Sequence, residues 1–185
     1  MEPIANDLVA FREVQRFWDT MWFRAMGIGL CVLLVGLGVW AMVQQLCFHI
    51  PWGNHPAPDG GLAVIATVMM IIGVFTLWLY YFMRLETEVR SDGLYVRFFP
   101  FHLKPQRIGF DELAKCEAVT YRPLIEYGGW GIRYGLSGKA YNVRGKRGVR
   151  LEFTKGGKLL IGSQDPEALA RALTSRAPQL RDGGR

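Results

Sequence analysis

No Asp, Glu, Lys, Arg or His stands between Ala25 and Phe48, and none between Gly60 and Met83. A soluble surface helix keeps a charged face, so two uncharged apolar runs exclude an ordinary soluble fold for this part of the chain. Each run is about 24 residues, roughly 36 Å as a helix, against a hydrocarbon core of about 30 Å. Each therefore spans a bilayer with some tilt. The same lack of ionisable groups argues against a proton or ion pathway through the spans. Cysteine is scarce: Cys31, Cys47 and Cys116 are too few and too scattered for a disulfide framework. Cys31 and Cys116 read as small apolar side chains, and Cys47 as the one placed to cross-link two copies on an oxidising face. No cleavable signal pattern precedes the second span. Gly-x-Ser-x-Gly and His-Glu-x-x-His are absent, as is any nucleophile–base set, so no enzyme is expected.

The connection from His49 to Asp59 has no Lys or Arg, whereas Arg12, Arg16 and Arg24 precede the first span and Arg84, Arg90 and Arg97 follow the second. The positive-inside rule puts both termini in the cytoplasm and the short loop outside. Pro51, Gly53, Pro56, Pro58 and Gly60-Gly61 make that loop a tight turn. The expected organisation is an amphipathic interfacial helix over 1–24, a transmembrane hairpin over 25–84 with spans at 25–48 and 60–83, a cytoplasmic domain over 85–176 and a polar tail over 177–185. In the first helix Asn6 or Asp7 is the cap. Leu8, Phe11, Val14, Trp18, Met21 and Trp22 form the apolar face, and Trp18 and Trp22 are the headgroup-level anchors. Packing of this helix on the cytoplasmic domain is the alternative. Gly29 and Gly36 share a face in the first span and admit close approach of a helix, within the hairpin or from a second copy.

From Leu85 the apolar period drops to two. Leu85, Thr87 and Val89, then Leu94, Val96 and Phe98, flank the turn Ser91-Asp92-Gly93. Further strand patterns follow around 107–110, 116–121, 130–134, 139–143, 149–154 and 159–163, separated by turns such as Gly135–Gly138, Gly145–Gly148 and Lys155–Lys158. Asp165-Pro166 opens a helix with the apolar face Leu169, Ala172 and Leu173. About seven short antiparallel strands and one helix predict a curled sheet or partly open barrel capped by the helix.

The run Tyr127-Gly-Gly-Trp-Gly-Ile-Arg, Gly145, Gly148-Val-Arg-Leu-Glu-Phe, Gly157-Lys-Leu-Leu-Ile-Gly-Ser163 and Pro166-Glu-Ala-Leu resembles bacterial membrane proteins with a PH-like domain. The similarity is to the uncharacterised branch in which a two-helix hairpin precedes that domain, and it covers residues 20–175. It implies a mainly-β PH-like fold, a bacterial inner-membrane location, and a binding or assembly module that is often oligomeric. Fold-level likeness carries no activity with it.

Removing Arg12, Arg16 and Arg24 from the 22 Lys and Arg, and Glu2, Asp7, Glu13, Asp19 and Asp59 from the 16 Asp and Glu, leaves 19 basic against 11 acidic residues from Arg84 onward. A basic domain tied to a bilayer is a neighbour of anionic headgroups, and no nucleic-acid partner is expected. The candidate anionic-lipid or acidic-partner surface is Lys139, Arg144, Lys146, Arg147 and Arg150, two of them in a Gly-flanked turn. A solvated turn that only keeps the domain soluble is the alternative. The first hairpin loop, Ser91-Asp92-Gly93, is acidic and departs from the phosphoinositide site of eukaryotic PH domains. Gly135-x-x-Gly138-Lys139 fails as a phosphate loop, with Arg133 and Ala140 where Gly and Ser or Thr are needed. No cofactor or metal is expected. Cys47, His49, His55 and Asp59 in the outer loop have ligand chemistry but match no ligand spacing. The leading expectation is a non-enzymatic membrane-anchored module that binds another membrane or cytoplasmic protein, or itself. Lipid-surface sensing by the basic hairpin and a small metal- or redox-linked membrane protein are the alternatives.

Overall fold

The two charge-free runs become two helices. In the computed structural model, which describes residues 9–53, 55, 57–135 and 137–181, α1 covers Met21–Met42 and continues into a π-helical turn, Val43–Cys47. The second helix, α2, covers Asp59–Phe82. The expected Asn6, Asp7 and Leu8, Pro56, Leu136 and the tail residues 182–185 lie outside the described residues. Both helices are long and apolar enough to cross a membrane, and only 17% of the most apolar stretch of each is buried, so neither is a soluble core helix. Residues 17–82 form one unit, and the described residues on either side form a second, mainly β unit.

Small residues make the seam between α1 and α2. A Cβ on Gly38 would lie 3.0 Å from the Ala66 carbonyl, and one on Gly73 would lie 3.2 Å from Leu34. Gly29 and Gly36 have open space around them, so the close approach expected of them falls instead to Gly38 and Gly73. Gln45, in the π turn, closes the loop. Its Nε2 donates to the Ala57 carbonyl and to Asp59 Oδ1, both at 2.8 Å.

The expected interfacial helix over 1–24 is corrected. Phe11–Arg16 is a strand, β1; Phe17–Asp19 is a 3-10 turn, and helix begins only at Met21. Spacings of three and four among Phe11, Val14 and Trp18 mimic a helical stripe. The face β1 turns inward is instead Phe11, Glu13 and Gln15, two of them polar and held by distant residues through Gln15 Nε2 and the Glu13 carboxylate.

β1 pairs antiparallel with β2 (Arg84–Val89) in unbroken register from Phe11↔Val89 to Arg16↔Arg84. The hairpin unit is thus an insertion between two neighbouring strands, and the β unit does not start at 85. Strands β3 (Leu94–Phe99) and β4 (Gln106–Ile108) complete a four-stranded antiparallel sheet. The second sheet has the order β5-β8-β9-β7-β6, from β5 (Leu113–Thr120), β6 (Gly131–Gly135), β7 (Gly138–Asn142), β8 (Arg147–Phe153) and β9 (Lys158–Gly162). Among the described residues, nine strands in two sheets therefore replace about seven in one curled sheet. The β7–β9 pair is parallel, and no closed barrel forms among the described residues. A short helix that periodicity did not reveal, α3 (Pro123–Tyr127), begins on Pro123 and ends on left-handed Gly128.

The expected C-terminal helix is present as α4, Pro166–Arg176, with Asp165 Oδ1 accepting from the Ala168 N–H at 2.9 Å. Its Leu169 and Leu173 are buried with Leu85, Val96, Phe98, Leu151 and Ile161, each worth about 1.5–3 kcal/mol of burial. The polar tail expected from 177 begins later. Ala177 and Leu180 are buried and Gln179 Nε2 donates to the Phe110 carbonyl, so a 3-10 turn, Pro178–Arg181, still packs on the unit.

Candidate functional site

The structure divides the expected basic surface. Arg144 and Lys146 lie in the turn between β7 and β8, where Gly145 takes a φ of +80°. Lys146 is exposed, and Arg144 is half-buried with its Nε unpartnered among the described residues. Arg147 opens β8 and forms an ion pair with Glu167 in the first turn of α4. Arg150 stands 3.8 Å from the Glu126 carboxylate on α3. Register separates the other two positions. Lys139 pairs with Leu159 and so shares a face with Leu151, while its neighbour Arg150 pairs with Leu160 on the opposite face. Only Arg144 and Lys146 stay together as basic residues without an acidic partner among the described residues.

Lys139 belongs to a different site. It borders a cleft of about 260 Å³ between β3–β4 and β7–β9, lined by Gln106, Glu112, Tyr141, Lys158 and apolar side chains. Its ammonium sits 4.7 Å from the Tyr141 ring centroid and 5.5 Å from that of Tyr134. Burial works to lower its pKa, but the phenolic oxygens of Tyr141 and Tyr134 outweigh burial and the net shift is upward. The lysine stays cationic, and Tyr141 donates onward to Gln106 Oε1 at 3.3 Å. This cleft can receive a carboxylate or phosphate group.

The outer face of the first sheet carries a lattice of ion pairs. Glu88 holds Arg12 at 3.2 Å and Arg90 at 2.7 Å; Glu86 holds Arg84 at 2.6 Å and Arg97 at 3.7 Å. Arg84 and Arg97 also stack over the Phe99 ring, each 5.2 Å from its centroid. Four arginines on two carboxylates leave the face positive. The alternation of Glu and Arg was the available signal, but only cross-strand register shows which residues meet.

Trp18 and Trp22 fall in the hairpin unit. Trp22 is 74% exposed in the first turn of α1, and Trp18 packs edge-on against Tyr81 with centroids 5.3 Å apart. With exposed Trp78, Tyr81 and Phe82 they form an aromatic band at the end where α1 begins and α2 ends. Of the outer-loop candidates, Asp59 accepts from Gln45, and Cys47 and His49 are exposed. Among the described residues no three His, Cys, Asp or Glu side chains converge as metal ligands.

Large apolar side chains are exposed at α3 and β6. Leu124 and Ile125 are 67% and 76% exposed on α3, and Tyr134 is 76% exposed on β6. Gly135 of β6 packs directly under α3, where a Cβ would strike the Glu126 carbonyl. β6 is the outermost strand of its sheet, and no described strand pairs with its outer edge. Leu124, Ile125 and this edge were missed by the sequence reading. The Pro123…Gly128 punctuation was the signal that could have found the helix.

The model of a family described as "Family of unknown function (DUF6141)" matches residues 1–179. No curated protein and no solved structure matches the chain.

Proposed function

We propose that this chain, which belongs to the DUF6141 family, is a non-enzymatic membrane-anchored module that binds a protein at the cytoplasmic face of a bacterial inner membrane. The anchor is the hairpin: two helices built on the charge-free runs, mostly unburied, with an aromatic band at the end next to Arg16, Arg24 and Arg84 and a Lys/Arg-free loop at the other. The β unit is read as PH-like. Two sheets, the second mostly antiparallel, and a capped C-terminal helix support that reading.

The observation that carries binding is the patch of Leu124 and Ile125 beside the unpaired edge of β6. Exposed edges and exposed apolar side chains are both costs to a free module, and a partner strand or apolar surface relieves both. A photo-crosslinking residue at Ile125, in the full chain in native membranes, should yield a discrete adduct. The same residue at Lys155, an exposed turn, should yield none. An adduct of twice the chain mass identifies a second copy, and any other discrete mass a different protein. Absence of adducts at Ile125 and at Tyr134 refutes the proposal.

A further inference from the structure

Three segments of the β unit meet at one end of it. β1 finishes at Arg16 and β2 starts at Arg84; these two are paired, and Arg84 is also paired with Phe99. The loop after Phe99, up to Pro105, therefore leaves the sheet at the end where the chain departs for the hairpin and returns from it. The basic turn lies beside the middle of β1 instead: Ser163 Oγ donates to Glu13 at 2.6 Å, and Ser163 N–H donates to the Arg147 carbonyl at 3.1 Å, next to Lys146.

In this loop Phe101 is 60% and Leu103 76% exposed. The loop is nonetheless firmly held. His102 N–H donates to the Phe98 carbonyl at 2.8 Å, and Phe98 N–H donates to His102 Nδ1 at 3.4 Å. The His102 ring stands edge-on to Tyr141 with centroids 5.4 Å apart. The fold thus presents two large apolar side chains to the outside, flanked by exposed Lys104, with exposed Arg16 at the same end.

We infer that the loop Pro100–Pro105 is a lipid-contact finger: Phe101 and Leu103 enter the headgroup–acyl boundary of the bilayer that holds the hairpin, and Lys104 and Arg16 meet anionic headgroups. The inference rests on the anchor reading above and goes beyond it. Arg84 follows Phe82, the last residue of α2, by two positions, which reach no more than about 7 Å. The aromatic band of Trp22, Trp78 and Tyr81 is of the kind that marks headgroup level. Aromatic and aliphatic side chains with adjacent Lys and Arg are the composition that interfacial segments use.

The test uses the full chain with Cys31→Ala, Cys47→Ser and Cys116→Ala, folded by circular dichroism. It is reconstituted at one chain per vesicle in phosphatidylcholine with phosphatidylglycerol. A nitroxide is placed in turn at Leu103→Cys, at Leu124→Cys and at Val68→Cys in α2, and its collisions with oxygen and with a water-soluble nickel chelate are compared. Oxygen should dominate at 68 and, at shallower depth, at 103, whereas nickel should dominate at 124. Nickel dominance at 103 with oxygen dominance at 68 overturns the finger and leaves the anchor standing. Nickel dominance at 68 overturns the anchor, and the finger with it. Shielding at 103 that appears only with several chains per vesicle assigns the patch to a second copy and overturns lipid contact. Lys104→Gln should raise nickel access at 103 in these vesicles and leave it unchanged in pure phosphatidylcholine. No change in either overturns the headgroup role of Lys104.

Discussion

Removing β1 should collapse the β unit even though it takes away only the residues before the hairpin. The perturbation compares two soluble chains, one of residues 84–181 and one in which residues 9–16 are joined to 84–181 by Asn-Gly. Arg16 and Arg84 are direct antiparallel partners, so a two-residue turn closes that join. Without β1 the Gly162 carbonyl loses Gln15 Nε2 at 2.8 Å in a site where Gln15 is 2% exposed, a cost of about 1–3 kcal/mol. Glu13 accepts from Ser163 Oγ at 2.6 Å and from Gln164 N–H at 2.8 Å, at the start of α4. Charge-assisted bonds are worth about 1.5–3 kcal/mol each, and the lower end applies to these because Glu13 is half-exposed. These side-chain bonds together come to about 4–6 kcal/mol, and the lost ladder to β2 adds to that. A unit of roughly 100 residues has only about 5–15 kcal/mol in all. Urea unfolding followed by circular dichroism should therefore show a cooperative transition for the joined chain and a broad or absent one for residues 84–181. Within the joined chain, Gln15→Ala should cost about 1–3 kcal/mol. A stability for residues 84–181 within about 1 kcal/mol of the joined chain would refute the claim that β1 is integral.

Burial pushes the Cys116 thiol up to about 12, so at neutral pH it is almost wholly protonated and should react far more slowly than exposed Cys47 in solubilised, folded protein; labelling of Cys116 by an impermeant reagent on intact cells would overturn the cytoplasmic placement of the β unit. His102 has its pKa lowered by burial and then by Lys139, so the unfolded chain binds more protons and stability falls as pH drops below about 6.5. Thermal melting of the joined chain should show that loss, and His102→Gln should reduce its slope; an equal slope in both chains would exclude His102 as its source.

The two spans and the C-terminal helix were legible from the sequence because their causes are local. A charge-free run of sufficient length needs no partner to be recognised, and Asp165-Pro166 caps and starts α4 from its own side chain and ring. The hairpin of β2 and β3 was equally visible in the alternation from Leu85 to Phe98. β1 was not, because its inward residues Glu13 and Gln15 are polar. What makes them interior is main chain about 150 positions away, and no spacing rule reaches that far. The same limit divided the basic cluster. Sequence proximity put Lys139 through Arg150 in one patch, but β7 reaches β8 only through β9. A one-residue difference in register parity sends Lys139 and Arg150 to opposite faces. Composition and period thus determined the two apolar helices, α4 and the strands with apolar inward residues, but neither β1 nor α3. Only tertiary pairing decided that the hairpin is inserted between two neighbouring strands, because antiparallel register is set by residues the chain separates widely and the fold brings together.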